Sequence, residues 1–351
     1  MTVPIRIGLD AMGGDFAPES ILEGAALAQK ESNGRYQFLM VGHQDAIKQA
    51  TDRLRHKLRN RLKVSFPIQH APNHISMDDV PSDVVRRKDT SIAVAMQLQK
   101  EGKLDAVVSA GNTGGVMATA LLTLGRLEGI DRPAIAMYLP TQNQRGTLVL
   151  DVGANAYCKP ENLYEFGVMG TIYSATVLNK ENPSVGLLSI GEEKSKGNPV
   201  TVESHKLFQA GSLNFFGNVE GNDVLQGKTD VVVCDGFVGN VMIKLAESFE
   251  GFLAHLLRRQ VRSNLLSKMG VFFLKYTFKK LKKTLDYAEY GGAPLLGVNG
   301  VSIICHGSSS PKAIKNAIRV AGDMVTKRVN DKIKGMLTLH GMGTEVKTNA
   351  G

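Results

Sequence analysis

The chain contains little cysteine, and its cysteines stand far apart in the sequence. They are Cys158, Cys234 and Cys305 among 351 residues. Disulfide frameworks and cysteine-based zinc sites need cysteines at close or patterned spacings, so this distribution argues against both. It favours a reduced, cytoplasmic compartment, and we predict that the protein holds no metal ion.

Long apolar runs are also absent. No run approaches the roughly eighteen residues that a membrane-spanning helix requires. The first strand is predicted to begin at about Pro4, which leaves no room in front of it for a signal peptide. With 43% hydrophobic and 21% charged residues, the composition is typical of a soluble globular protein.

Two familiar nucleotide-binding signatures are missing. Gly227-Lys228-Thr229 imitates the end of a phosphate-binding P-loop, but the first glycine of that motif would fall at Asn222. A predicted strand, not a helix, follows it. The glycine pattern of dinucleotide-binding folds, G-x-G-x-x-G, does not occur. Kinase and standard dehydrogenase functions therefore lose their strongest support.

Short β-rich runs alternate with longer helical patterns along the chain. This alternation predicts an α/β fold with a mainly parallel sheet in three αβα layers. The predicted elements include a strand at Leu62–Phe66 and helices at Ser82–Glu101 and Pro311–Lys334. We predict a single α/β domain over residues 1–335. Residues 336–351 show little periodicity and are predicted to form a flexible tail.

Five strand-like runs end in tight turns built from Gly, Asn, Asp or Ser. These turns lie at residues 8–15, 109–115, 151–155, 190–193 and 235–240. In an open α/β sheet the carboxyl ends of the strands face a common crevice, and N–H groups at helix starts attract anions. We therefore predict that the five turns converge on one phosphate or carboxylate ligand.

The residues predicted to bind phosphate or substrate come from these turns and their flanks. They are Gly13, Gly14, Asp15, Ser109, Gly111, Thr113, Gly114, Asp151, Asn155, Glu192, Lys196, Asp235, Gly236 and Gly239. A purely structural interpretation, in which a turn connects a strand to a helix and binds nothing, stays open for the turns at 13–15, 109–115 and 235–240.

The net charge of +9 is concentrated in one segment. Between His255 and Lys283 lie nine lysines and arginines and no acidic residue. Apolar residues recur there at three- and four-residue steps, so we predict a helical hairpin, the basic arm, at about residues 241–287. Its predicted contact residues are Arg258, Arg259, Arg262 and Lys268.

Two interpretations of the basic arm stay open. The arm is either a dimerisation or core-packing element with a solvated basic face, or a docking surface for an anionic membrane or an acidic protein. Each Lys or Arg near an anionic leaflet contributes about 1 kcal/mol, so several together would hold a protein at a membrane. No nucleic-acid motif accompanies the charge, so we predict no nucleic-acid partner.

In their order along the chain, these turns resemble those of the bacterial phosphate acyltransferases that use acyl-acyl carrier protein. The resemblance covers about Ile5 to Gly307. It departs locally at Thr90-Ser91-Ile92, where Ser-Ser-Met is expected. The matching segments are Leu9–Asp15, Ser109–Gly114, Asp151–Asn155, Ile190–Glu193 with Lys196-Gly197, Asp235–Asn240, Gly292–Gly297 and His306-Gly307.

The resemblance implies a cytoplasmic, peripherally membrane-associated homodimer without a cofactor, with a fold similar to isocitrate dehydrogenases and phosphate acetyltransferases. The implied reaction joins a long-chain acyl group from acyl carrier protein to inorganic phosphate, and it yields acyl phosphate and free carrier. The product would supply a membrane glycerol-3-phosphate acyltransferase of phospholipid synthesis. A coenzyme A-dependent phosphate acetyl- or butyryltransferase and a non-enzymatic membrane scaffold remain as alternatives.

This reaction needs no acyl-enzyme, because phosphate is itself an oxygen nucleophile at neutral pH. The protein has to hold phosphate against the thioester and stabilise the oxyanion, and one oxyanion donor is typically worth roughly 10²–10³ in rate. We expect Asn112 or Asn240 to donate to the oxyanion and His306 to assist the departing thiol. A plain loop histidine is an equal alternative. Cys158 has no activating base in the sequence, which disfavours it as a nucleophile.

Overall fold

The computed structural model describes residues 3–58, 64–80, 84, 86–262, 273–274, 276–277 and 291–339. The strands within these ranges are β1 (Ile5–Asp10), β2 (Tyr36–Gly42), β3 (Ile68–His70), β4 (Ala106–Ser109), β5 (Ala134–Leu139), β6 (Thr147–Leu150), β7 (Val185–Leu188), β8 (Phe215–Val219), β9 (Val231–Val233), β10 (Ala293–Leu296) and β11 (Ser302–Ile304). The helices are α1 (Glu19–Glu31), α2 (Gln44–Lys57), α3 (Ser91–Lys100), α4 (Thr113–Leu124), α5 (Pro160–Thr176), α6 (Pro199–Ala210), α7 (Gly221–Gln226), α8 (Gly236–Arg262), α9 (Pro311–Thr326) and α10 (Val329–Leu339).

The strands form one sheet in the order β3-β2-β1-β4-β11-β10-β5-β6-β9-β7-β8. Neighbouring strands pair in parallel except at three junctions, which are β11–β10, β10–β5 and β5–β6. Along β4, Ala106 and Val108 pack in one hydrophobic core and Val107 packs in the other. Helices thus cover both faces of the sheet, as expected for a parallel sheet, and the predicted fold class is confirmed.

The three antiparallel junctions reverse the strand direction between the two halves of the sheet. Strands β1, β2, β4 and β11 run one way, whereas β6, β7, β8 and β9 run the other way. The turns after β1 and β4 therefore lie at the carboxyl ends of strands in one half of the sheet, and the turns after β6, β7 and β9 lie at the carboxyl ends of strands in the other half. The convergence of all five turns on one crevice stays a prediction.

Two predicted helices have different bounds in the structure. Helix α3 begins at Ser91, not Ser82, because Thr90 Oγ1 accepts the N–H of Ala93 at 3.4 Å and caps the helix there. The helix predicted at Pro311–Lys334 is divided into α9 and α10 by Arg328, whose φ of 52° is incompatible with a continuous helix. The predicted strand at Leu62–Phe66 lies partly outside the described residues, and the strand in this region is β3.

The end of the chain is helical further than the sequence suggests. Helix α10 reaches Leu339, so the first four residues of the predicted tail are helical. Residues 340–351 of that tail lie outside the described residues.

Helix α8 is the described part of the basic arm. It begins five residues before the predicted arm, because Asp235 Oδ1 accepts the N–H of Val238 at 2.8 Å and starts the helix there. Its 27 residues make it about 40 Å long. Most of the second half of the predicted hairpin, including Lys268, lies outside the described residues. Among the described helices, none combines the length and the apolarity that crossing a membrane needs.

Candidate functional site

The polar turns form two groups. Site A comprises residues 10–15, 109–115 and 306–308, where β1, β4 and β11 end. Site B comprises residues 151–155, 189–197 and 235–240, where β6, β7 and β9 end. Five strand-to-strand steps separate β1 from β6 in the sheet. The two sites therefore belong to different halves of the sheet.

Site A lies where the strand order reverses. The chain runs from β1 outward to β2 and β3, and then returns to β4 on the other side of β1. Such a reversal leaves a crevice outside the carboxyl ends of the strands, and open α/β sheets bind ligands there. Site A therefore has the position in this half of the sheet that best suits a ligand.

A buried carboxylate organises the turns of site A. Asp10 Oδ2 accepts the hydroxyl hydrogen of Ser109 at 2.7 Å, and Ser109 Oγ accepts the N–H of Gly111 at 3.1 Å. A Cβ on Gly13 would lie 2.7 Å from both Asp10 Oδ2 and the Gly111 nitrogen, so the two turns approach this closely only with glycine. Burial raises the pKa of Asp10, opposed by the hydroxyls of Ser91 and Ser109.

Both the oxygen and the nitrogen of the Asn112 side-chain amide form hydrogen bonds within the protein. Its Oδ1 accepts the N–H of Gly115 at 3.0 Å and caps helix α4. Its Nδ2 donates to the carbonyl oxygens of Met77 at 2.9 Å and Asp79 at 3.0 Å. Both donors of this amide are engaged within the protein, and the role of Asn112 as an oxyanion donor stays a prediction.

The start of α4 offers backbone donors instead. Thr113 and Gly114 are the first two residues of this helix, and helices leave their first N–H groups without an intrahelical partner. Neither of these N–H groups has a partner among the described contacts. The helix dipole adds a partial positive charge at the same place, which favours an anion.

His306 and Gly307 form the third segment of site A. The carbonyl oxygen of Gly307 accepts the N–H of Asp15 at 2.8 Å, which ties this segment to the first turn. His306 Nδ1 accepts the N–H of Ser308 at 3.2 Å and lies 2.8 Å from the Ser308 hydroxyl. Which ring nitrogen carries the proton depends on the tautomer, because Nδ1 accepts from the Ser308 N–H in one tautomer and donates to the Ser308 hydroxyl in the other. The imidazole is exposed, and its catalytic role stays a prediction.

A segment that sequence reasoning did not single out crosses the start of α4. We name it the strap, residues 74–80. Arg87 Nη1 donates to Asp79 Oδ2 at 2.9 Å, and its Nη2 donates to the carbonyl oxygen of His74 at 2.8 Å. Asn112 holds the strap from the other side. Asp10 and the strap were missed because their roles depend on contacts with residues distant in the sequence.

Asp151 is the centre of site B. It is completely buried, and its carboxylate accepts five hydrogen bonds. Oδ1 accepts the N–H groups of Ile135, Gly153 and Ala154 at 2.9–3.1 Å. Oδ2 accepts the backbone N–H of Asn155 at 2.7 Å and its side-chain amide at 2.9 Å. Burial raises the pKa of Asp151, and these N–H donors oppose that rise.

The glycines of the 235–240 turn pack against this loop. The N–H of Gly236 donates to the carbonyl oxygen of Asn155 at 2.7 Å. A Cβ on Gly239 would collide with the carbonyl oxygen of Asp151. The close approach that these glycines permit is therefore to the protein's own backbone, and their contact with substrate stays a prediction.

The remaining predicted residues of site B have mixed surroundings. Asn240 is exposed beside Gly153, and its role as an oxyanion donor stays a prediction. Glu192 forms an ion pair with Lys228, which the sequence did not indicate. The carbonyl oxygen of Lys196 accepts the Ser189 hydroxyl at 3.0 Å.

Cys158 is unsuited to nucleophilic catalysis. It lies half-buried beside site B, and its thiol donates to the carbonyl oxygen of Asn155 at 3.8 Å. Burial, together with the charges of Asp151 and Asp235, raises the pKa of Cys158 to about 12. The thiolate is then scarce at neutral pH, in agreement with the low weight that the sequence gives to a covalent acyl-enzyme.

Helix α8 presents an apolar stripe and a basic end. Val241, Leu245, Phe249 and Phe252 are all exposed and recur at three- and four-residue steps, so they lie on one side of the helix. Arg258 and Arg259 are exposed further along. Site B and this stripe are continuous, because α8 begins in the 235–240 turn.

The chain is similar along nearly its whole length to a family of known proteins. It matches the family model described as fatty acid synthesis protein over residues 5–332. The phosphate acyltransferase of Geobacter sulfurreducens is 48% identical over 332 residues, which cover 94% of this chain and 93% of that protein. The phosphate acyltransferase of Heliobacterium modesticaldum is 49% identical over 318 residues, which cover 90% and 93%.

The fold also has a solved counterpart. The crystal structure of a phosphotransacetylase from Streptococcus pyogenes superimposes with a TM-score of 0.61 and covers 92% of this chain and 94% of that chain. Its sequence identity is 16%, so the likeness concerns the fold alone.

Proposed function

Because this chain belongs to the fatty acid synthesis protein family and is similar along its length to phosphate acyltransferases, we propose that it transfers a long-chain acyl group from acyl-acyl carrier protein to inorganic phosphate. The protein is an acyltransferase. The observation that carries the reaction class is the identity of 44–49% to relatives of that name over nearly the full chain. The product of the proposed reaction is an acyl phosphate, and the reaction is reversible.

Phosphate has a suitable place in site A. The N–H groups of Thr113 and Gly114 lie at the positive end of the α4 dipole, and Gly111 and Gly13 keep the neighbouring backbone close. Backbone donors at a helix start bind phosphate without a lysine or a metal ion. We assign these N–H groups the anion-binding role, and Asn112 the role of holding the turn in shape.

The proposed chemistry balances without a cofactor. An oxygen of HPO₄²⁻ attacks the thioester carbon, the carbon–sulfur bond breaks, and the carrier leaves as a thiol. The proton that the attacking phosphate loses is the proton that the departing sulfur gains. We propose that His306 carries it: in the tautomer in which Nδ1 donates to the Ser308 hydroxyl, Nε2 takes the proton from phosphate and passes it to the sulfur.

The first experiment measures thiol release from palmitoyl-acyl carrier protein with and without inorganic phosphate, with palmitoyl-coenzyme A as a parallel donor. Phosphate-dependent release from the carrier only is the expected result. Release from coenzyme A only would favour a coenzyme A-dependent phosphate acyltransferase instead. No release from either donor would contradict the proposed function and would favour a non-enzymatic scaffold.

The basic arm supports the carrier and a membrane as partners. Acyl carrier protein is acidic, and an acyl phosphate is lipid-like, so a helix with an apolar stripe and exposed arginines suits both. Reversal of Arg258 and Arg259 to glutamate is expected to weaken carrier use or binding to anionic vesicles at low salt. If neither changes, the arm serves only to join two subunits.

The cellular setting follows from the same proposal. We place the enzyme in the cytoplasm as a homodimer at the inner surface of the membrane, where a glycerol-3-phosphate acyltransferase would consume its product. Light scattering of the purified protein and flotation with anionic vesicles test these two statements. A monomer that stays with the soluble fraction would contradict both.

A further inference from the structure

The strap has a fixed backbone and an exposed apolar side chain at its tip. Asn112 donates to two strap carbonyls, and Arg87 binds both a strap carboxylate and a strap carbonyl. Ile75 is 7% exposed and packs 3.2 Å from the position of a Cβ on Gly115. Met77, in contrast, is 44% exposed. The hydrogen bonds of the strap thus leave the Met77 side chain at the surface.

The position of Met77 connects it to site A. A Cβ placed on Gly307 would lie 2.8 Å from Met77 Cε and 3.4 Å from Asp15 Oδ1. The methyl group of Met77 therefore lies against the junction where the 10–15 and 306–308 segments meet. Phe16, which directly follows Asp15, is 57% exposed. Site A thus has polar turns at its base and apolar side chains at its rim.

We propose that Met77 contacts the acyl chain of the donor and determines which chains the enzyme accepts, and that Asn112 is the positioning residue that holds Met77 in place. This inference rests on the proposed function. An acyl thioester is polar at its reacting carbonyl and apolar along its chain. Site A has the same order, with polar turns at its base and apolar side chains at its rim. Methionine has a flexible, polarizable side chain, so it adapts to alkyl chains of different shapes.

The size of the effect follows from the contact area. Burial of one methylene contributes about 0.8 kcal/mol, so a contact of two methylenes with Met77 corresponds to about a tenfold change in affinity. Met77→Ser is therefore expected to raise the KM for the hexadecanoyl carrier about tenfold and to leave the KM for phosphate unchanged. Met77→Leu keeps an apolar side chain and is expected to behave like the unaltered enzyme.

Asn112→Ser tests the positioning role separately. Serine retains a helix-capping oxygen but lacks the amide donors that hold Met77 and Asp79. This variant is expected to raise the donor KM as Met77→Ser does, while its melting temperature stays close to that of the unaltered protein. Asp78→Asn changes the exposed neighbour in the strap and serves as the matched control, with both KM values unchanged.

The outcomes separate this inference from the proposed function. If the unaltered enzyme shows no phosphate-dependent thiol release, the proposed function fails. If the unaltered enzyme is active and Met77→Ser has the donor KM of the Asp78→Asn control, the inference about Met77 is overturned while the function stands. An equal rise in the KM for donor and phosphate would also overturn it, since that result indicates a general distortion of site A.

Discussion

Replacement of Asp151 by asparagine is expected to destabilise the protein strongly, although the two side chains have nearly the same shape. The Asp151 side chain is 0% exposed, and five N–H groups point at its two oxygens. A carboxylate is able to accept all five. An amide has one accepting oxygen, and its NH₂ group is a donor. Whichever way the amide is turned, N–H groups meet N–H groups.

The least unfavourable orientation sets the magnitude. If the amide oxygen replaces Oδ1, three donors stay paired, and the two donors of Asn155 lose their acceptor. A buried donor without a partner costs about 1–3 kcal/mol, so the two together cost about 4 kcal/mol. Natural domains are stable by about 5–15 kcal/mol, so this loss is a large part of the total.

Urea unfolding at pH 7 and fixed protein concentration measures the effect, with the change in stability taken from the midpoint at an unchanged slope. Asp78→Asn is the control, because its side chain is exposed, and a change within about 0.5 kcal/mol is expected. A loss below about 1 kcal/mol for Asp151→Asn would refute the reasoning. That result would mean that Asp151 already carries a proton in the folded protein, a state that burial promotes and that the five donors oppose.

Three further predictions concern single buried groups. Burial raises the pKa of Glu165 from 4.5 to about 7, so the folded protein binds its proton more tightly than the unfolded chain and loses stability as the pH rises from about 4.5 to 7. Unfolding measured at pH 5 and pH 8 is expected to show that Glu165→Gln gains about 2.5 kcal/mol relative to the unaltered protein over this range, and a constant difference would contradict the shift. Gly239→Ala is expected to lower the melting temperature by several degrees, because its Cβ collides with the Asp151 carbonyl, and an unchanged melting temperature would show that the turn can move. Since burial raises the pKa of Cys158 to about 12, iodoacetamide is expected to alkylate it at least about a hundredfold more slowly in the native than in the unfolded protein, and Cys158→Ser should retain phosphate-dependent turnover. Equal alkylation rates in the native and the unfolded protein, or a complete loss of turnover in Cys158→Ser, would make Cys158 a candidate nucleophile again.

The positions of most strands and helices, and the parallel α/β class, could be predicted from local patterns. Buried strands such as β4 and β6 are short apolar runs, and the helices show their periodicity within ten to twenty residues. Where a local pattern failed, a contact with a neighbouring side chain decided the outcome. The cap from Thr90 shortened α3, and the cap from Asp235 converted the predicted 235–240 turn into the first turn of α8.

The candidate site was predictable only in part. Glycine, asparagine and aspartate after apolar runs identified the turns, because those residue types are needed wherever a strand ends and a helix begins. The direction of a strand leaves no trace in its own sequence. The three antiparallel junctions around β10 and β5 could therefore not be predicted, nor could the division of the turns between two halves of the sheet.

The sequence by itself determined the α/β class, the identity of the polar turns and the family, because each depends on residue types and spacings along the chain. The tertiary structure decided which turns meet. It engaged Asn112 with the strap, buried Asp10 at the centre of site A and Asp151 at the centre of site B, and brought Met77 close to Gly307. These are contacts between residues as far as 230 positions apart, between Met77 and Gly307, and no pattern within a short window specifies them.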